Sequence, residues 1–147
     1  MKLTTVEKRF EEYLKQHELK MTSQRKRILQ RAYETHDHFS ADTLHSWLRE
    51  QEASKVSRAT VYRTLDLLEQ GGFIQSLNTG NSELVYEHTL GHKHHDHMIC
   101  VTCGHIEEFH DERIEELQEA AAKRRGFQVQ SHVHRLMGLC KSCAKTP

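Results

Sequence analysis

The sequence predicts an α+β chain: an N-terminal winged helix-turn-helix followed by a small α/β dimerisation domain. Three observations predict it. Apolar residues recur at helical spacing as far as Gly71, then switch to two short strand-like runs around Asn78-Thr79-Gly80-Asn81. Seven of the 13 histidines fall between His88 and His110. Four cysteines form two Cys-x-x-Cys pairs, Cys100/Cys103 and Cys140/Cys143.

Composition narrows the class. With 147 residues, 36% of them hydrophobic, and a mean hydropathy of −0.77, the chain can make one domain or two small ones without a large core. Small lobes of this kind need staples: metal, disulfides or a partner subunit. The zero net charge excludes a uniformly basic protein but leaves room for a local basic patch. No run of about 18 apolar residues spans a membrane, and the first residues lack a signal peptide's apolar core. Both predict a cytoplasmic chain with reduced thiols and no membrane partner.

The elements follow in order. Val6, Phe10 and Leu14 predict a first helix over residues 3–17. Thr22 can cap a second, with Ile28, Leu29, Ala32 and Tyr33 inward and Arg25, Lys26, Arg27 and Arg31 outward. Ser40 caps a third, with Asp42 in its first turn and Leu44, Trp47 and Leu48 inward. A fourth begins near Ser57 and buries Val61, Leu65 and Leu68, leaving Arg58, Tyr62 and Arg63 on or beside the outer face. Gly71-Gly72 ends it, and strands at residues 73–77 and 84–86 make a hairpin. In a winged helix-turn-helix the fourth helix would enter the DNA major groove, and the hairpin would be the wing. Domain boundaries at 1–87 and 88–147 follow.

Downstream, residues 97–100 and 104–109 predict strands. Residues 111–125 predict a helix with Asp111 and Glu112 in its first turn and Gly126 after its end. Its apolar stripe is Ile114, Leu117 and Ala121. Phe127, Val129, Val133, Leu136 and Leu139 predict a strand leading to Cys140. One helix on a small sheet leaves edges and an apolar face that a homodimer would cover.

Two Cys-x-x-Cys pairs in a reduced compartment read as a tetrahedral zinc site. Neither pair has the strand and helix N-terminus of a redox-active motif. A closed set of four thiolates leaves no open coordination position, so this zinc is scaffold. The residues from His92 to Cys103 also hold four histidines and Asp96. On a strand, His95 and His97 share one face, His94 and Asp96 the other, so one stretch can serve two metal sites. Further ligands are sought among His38, Glu87, Glu108, Glu115, His132 and His134. Nitrogen and carboxylate donors suit Fe(II), Mn(II) or Zn(II). A rival reading is His92-x-His94-x-Asp96-His97 as a zinc-hydrolase signature. That fold needs a longer chain, and no catalytic residues are assigned here.

The chain resembles the ferric uptake regulator family of metal-dependent bacterial repressors, from about Leu19 to Cys143. The resemblance is carried by Ala59-Thr60-Val61-Tyr62-Arg63-Thr64-Leu65, by His94-His95-Asp96-His97-Met98-Ile99-Cys100-x-x-Cys103-Gly104, and by Cys140-x-x-Cys143. It implies a DNA-binding homodimer on an AT-rich palindrome. The implied regulatory site is His38, Glu87, His95, His97 and Glu108, and the implied second site is His94, Asp96, Glu115 and His132. The implied DNA contacts are Lys20, Arg25, Arg58, Thr60, Tyr62 and Arg63. Glutamates at 87 and 108, with no spare cysteine, lean towards Fe(II) sensing with Mn(II) or Zn(II) as substitutes. Peroxide- and zinc-sensing members are the alternatives. Glu107 is the neighbour that a one-residue slip would exchange for Glu108.

Overall fold

A computed structural model describes residues 2–50, 55–80, 83–91 and 94–145. The chain divides into two compact units, Met1–Asn78 with Ser82–His92, and Thr79–Asn81 with Lys93–Pro147. Among the described residues no helix is long and apolar enough to cross a membrane.

The first unit holds helices α1 (Leu3–Gln16) and α2 (Ser23–Glu34), strand β1 (Phe39–Ser40), helices α3 (Ala41–Glu50) and α4 (Arg58–Gln70), and strands β2 (Ile74–Asn78) and β3 (Leu84–His88). Each predicted cap engages its helix. The Thr22, Ser40 and Ser57 hydroxyls accept from the backbone N–H of Arg25, Thr43 and Thr60 at 3.2, 3.1 and 3.2 Å. The end of α4 is a Schellman motif: Gly72 N–H returns to Glu69 O at 2.9 Å and Phe73 N–H to Leu68 O at 2.8 Å. Gly72 has φ 72°, a conformation that glycine takes without a Cβ penalty. The core joins Val6, Phe10 and Leu14 of α1 to Ile28 and Leu29 of α2, Leu44 and Leu48 of α3, and Val61, Leu65 and Leu68 of α4. Phe10 meets Phe73 edge-on, with ring centroids 5.2 Å apart.

The sheet order in this unit is β1-β3-β2, all antiparallel. The hairpin β2–β3 matches the expected wing, although Asn81 of its loop lies outside the described residues. Strand β1 is an addition: two residues pairing Phe39 with Tyr86 and Ser40 with Val85. It ties the start of α3 to the wing.

The second unit holds β4 (Asp96–Cys100), β5 (Ile106–Phe109), α5 (Glu112–Lys123), β6 (Arg135–Gly138) and a short 3-10 turn (Cys143–Lys145). Strand β4 is central, antiparallel to β5 and parallel to β6. Asp111 caps α5, accepting from Arg113 N–H at 3.0 Å. One expectation is corrected here. The last strand covers only residues 135–138, and residues 127–134 have no regular structure. The α5 stripe leaves Leu117 69% exposed, and Val133 ahead of β6 is 76% exposed, so this unit carries an apolar face open to solvent, as expected.

Candidate metal centres and nucleic-acid face

The parallel register of β4 and β6 sets Cys100 opposite Gly138, two residues ahead of Cys140. Each Cys-x-x-Cys then turns back on itself in the same way. Gly104 N–H bonds Cys100 O at 2.9 Å, and Ala144 N–H bonds Cys140 O at 2.9 Å. All four sulfurs lie within 4.8 Å of one another, and no disulfide joins them. Cys103 Sγ and Cys140 Sγ are 3.7 Å apart. A zinc tetrahedron with bonds of about 2.3 Å has edges of about 3.8 Å, so the donor set fits that ion. Backbone N–H groups of Cys140 and Cys103 hold the Cys100 thiol down at about 6. Contact with the sulfurs of Cys140, Cys103 and Cys100 pushes Cys143 up to about 12. Four adjacent thiols cannot all carry charge without a cation among them.

The second cluster joins His94 and Asp96 of the β4 segment, Glu115 of α5 and His132 ahead of β6. Their donor atoms lie within 4.8 Å of one another. His94 Nε2 is 3.2 Å from Asp96 Oδ1 and 3.6 Å from Glu115 Oε1. His132 Nε2 is 3.5 Å from each of those oxygens. Asp96 Oδ1, Glu115 Oε1 and His132 Nε2 are buried without a hydrogen bond among the described residues. Buried polar atoms of this kind ask for a ligand. Two nitrogens and two carboxylates fit a divalent transition metal. His134, outside the implied set, places Nδ1 3.3 Å from Asp96 Oδ2.

The remaining nitrogen and carboxylate donors fall in both units. In the first, His38 Nε2 lies 3.1 Å from Glu87 Oε2. Gln75 Nε2 donates to Glu87 Oε1 from the directly opposed position on β2. Gln75 carried no sequence signal; the hairpin register alone brings it to Glu87. In the second unit, Glu108 stands opposite His97 across β4–β5, and its Oε1 is 3.7 Å from His95 Nε2. The His95 and His97 rings are edge-on, 5.0 Å apart. Glu107 stands opposite Met98, so it faces the other side of the sheet.

The hydrolase spacing is split by the same alternation. His94 and Asp96 join one cluster, whereas His97 pairs with Glu108 on the other face. His92 of that motif lies outside the described residues.

On α4, Tyr62 is 45% exposed, and Arg63 Nε donates back to Ala59 O at 3.2 Å. Arg58 pairs with Asp42 at 3.2 Å, and Thr60 shares the cap through Ser57 Oγ at 2.9 Å. Lys20 is exposed ahead of α2, where its carbonyl accepts from Arg25 Nη1 at 2.6 Å. The implied contact residues on α4 thus lie along its first two turns, and Lys20 and Arg25 are held together at the start of α2.

Comparison with known proteins adds three findings. Residues 16–137 match the Ferric uptake regulator family. The "Ferric uptake regulation protein" of Campylobacter jejuni is 40% identical over 137 residues, covering 92% of this chain and 86% of the relative. The ferric uptake regulator of Helicobacter pylori, whose structure is described as revealing three functional metal binding sites, superposes with a TM-score of 0.87. It is 32% identical, with 99% and 96% of the two chains covered. The ferric uptake regulator of Francisella tularensis, solved with iron, gives a TM-score of 0.73 at 34% identity, covering 86% of this chain and 96% of that one.

Proposed function

Since the chain belongs to the ferric uptake regulator family of metal-responsive, DNA-binding regulators, we propose that it is an Fe(II)-dependent repressor of iron-uptake genes. It acts as a homodimer on an AT-rich palindromic operator in the cytoplasm. Residues 1–87 read DNA, and residues 88–147 dimerise and bind metal. The observation that carries the reading is the division of donors. All four cysteines are committed to one cluster, which leaves only nitrogen and oxygen donors elsewhere. Thiolates suit structural zinc, whereas imidazole and carboxylate suit an exchangeable Fe(II), with Mn(II) or Zn(II) as substitutes.

In this reading Zn(II) sits in Cys100, Cys103, Cys140 and Cys143. The regulatory ion is held by His38 and Glu87 of the first unit and His95, His97 and Glu108 of the second. Gln75 steadies Glu87 through the oxygen that His38 does not face. Bound metal supplies a cross-link between the two units. Because ligation favours the arrangement that gathers all five side chains, it shifts the population towards it. In a dimer this sets the spacing of two α4 helices to half-sites about one helical turn, roughly 34 Å, apart. Lys20, Arg25, Arg58 and Arg63 position the chain on phosphates, while Thr60 and Tyr62 meet base edges.

The test is an anaerobic anisotropy titration of zinc-loaded protein on a labelled AT-rich palindrome, with Fe(II), Mn(II) and Zn(II) buffered separately. DNA binding that switches on with Fe(II) and Mn(II), and reverses with chelator, is the expected result. Activation only by extra zinc at far lower free concentration makes the chain a zinc sensor. His95→Ala protein that binds DNA equally with and without metal removes the cross-link account.

A further inference from the structure

The Asp96 carboxylate turns its two oxygens to different partners. Oδ1 faces the second cluster, 3.2 Å from His94 Nε2 and 3.5 Å from His132 Nε2. Oδ2 faces His134 Nδ1 at 3.3 Å. Asp96 is 1% exposed, and its two oxygens and His134 Nδ1 are all buried without a hydrogen bond among the described residues. The backbone imposes this juxtaposition. His97 N–H bonds His134 O at 3.3 Å, and the next residue, Arg135, pairs with His97. His134 therefore lies beside Asp96, one step ahead of the ladder. The His134 ring also stands edge-on to Phe109, with centroids 5.7 Å apart, and Phe109 pairs across the sheet with Asp96.

We propose that His134 is a positioning residue for a metal ion at the His94–Asp96–Glu115–His132 cluster: a small turn of its ring lets Nδ1–H donate to Asp96 Oδ2, 3.3 Å away, and leaves Oδ1 as the one oxygen offered to the ion. The inference rests on the reading of that cluster as a metal site. The terminal torsion of an aspartate is broad and nearly two-fold, so an unassisted carboxylate can present either oxygen or both. A donor on one oxygen removes that freedom before the ion arrives. Such an outer hydrogen bond fixes a ligand's orientation and is worth about 10–100-fold in metal affinity. His134 does this from outside the four donors, and its ring is held by Phe109 rather than by the ion.

The experiment uses the full chain with zinc in the four-cysteine cluster and His38→Ala to silence the regulatory set. Co(II) is titrated against a chelator of known affinity, and its visible absorption bands report the geometry of the second cluster. His134→Phe keeps a ring against Phe109 but removes the donor; His134→Asn returns an N–H near the Nδ1 position. We expect His134→Phe to weaken Co(II) binding about 10–100-fold and to change the band pattern, and His134→Asn to recover most of both. In an Asp96→Asn background, His134→Phe should add no further loss. Wild-type affinity and bands in His134→Phe, or equal loss in both variants, overturn the positioning role. If Asp96→Asn leaves the Co(II) bands intact, the cluster is not a metal site and this proposal fails with it. Should far-UV circular dichroism find His134→Phe unfolded, His134→Leu replaces it in the same comparison.

Discussion

At the residue scale, the exposed side chains of α4 divide by role. Tyr62 offers an exposed planar ring and a hydroxyl, whereas Arg58 and Arg63 offer charge. Tyr62→Ala should therefore relax sequence preference, with competition binding against mutated operators showing a smaller penalty per changed base pair. Lys20→Ala should weaken all sequences alike and lower the salt slope by about 1. An unchanged preference in Tyr62→Ala would move base reading elsewhere. Asp111 gives a pH prediction. The Arg113 guanidinium and backbone N–H hold its carboxyl down at about 2, below the ordinary value near 4. A depressed folded value means stability present above about pH 4 and lost as pH falls through about 2. Asn still caps a helix, so Asp111→Asn removes the charge while keeping the cap. Its melting temperature should fall slightly below wild type at neutral pH and converge with it near pH 2. The thiols predict the same direction for metal loading: Cys143, held up at about 12, must give up its proton to zinc. Chelator competition should find zinc bound more tightly at pH 8 than at pH 6.

At the scale of elements, Ser57 is the side chain that decides where α4 begins. Ser57→Ala should cost about 1 kcal/mol in denaturant unfolding and weaken operator binding, because Thr60 N–H loses its side-chain acceptor. Helices α2, α3 and α4 were legible because each carries its own punctuation: Thr22, Ser40 and Ser57 at the starts, Gly71-Gly72 at the end of α4. Strand β1 was not, since two residues are too short for alternation and exist only through pairing with β3. The last strand was read too long for the opposite reason. Phe127, Val129 and Val133 alternate as a strand should, but only residues 135–138 find a hydrogen-bonded neighbour. Within each unit the donor pairs follow strand alternation, so His94 with Asp96, and His95 with His97, could be grouped from sequence. The role of His134 depends on the register of β6 against β4, a pairing between distant segments that no local pattern encodes.

At the scale of the whole molecule, the second unit has little core of its own. Leu117, Phe127 and Val133 are each more than two-thirds exposed, and α5 buries no residue. Exposed apolar area of this kind marks an interaction surface. A homodimer covering it should melt at a temperature that rises with protein concentration. A melting point independent of concentration over two decades, with a monomer in sedimentation, would refute that assembly. Cys103→Ser should abolish tight zinc binding and dissociate the dimer. Operator binding should fail even with Fe(II) in excess, whereas near-UV signals from Trp47 in the first unit's core should persist.

Strand β4 has one neighbour made soon after it and another made much later. Its antiparallel partner β5 emerges within a few residues, but Cys140 and Cys143 follow Cys103 at a separation of 37 residues and beyond. The first unit's core is complete by Tyr86. During synthesis, that unit can fold while the strand closing the second sheet is still inside the ribosome. Zinc then meets only half of its ligands until the last knuckle is released. The order of manufacture would therefore be DNA-reading unit first, metal second, subunit pairing last. Nascent chains arrested before Cys140 should resist protease over residues 1–87 and be cut freely after them.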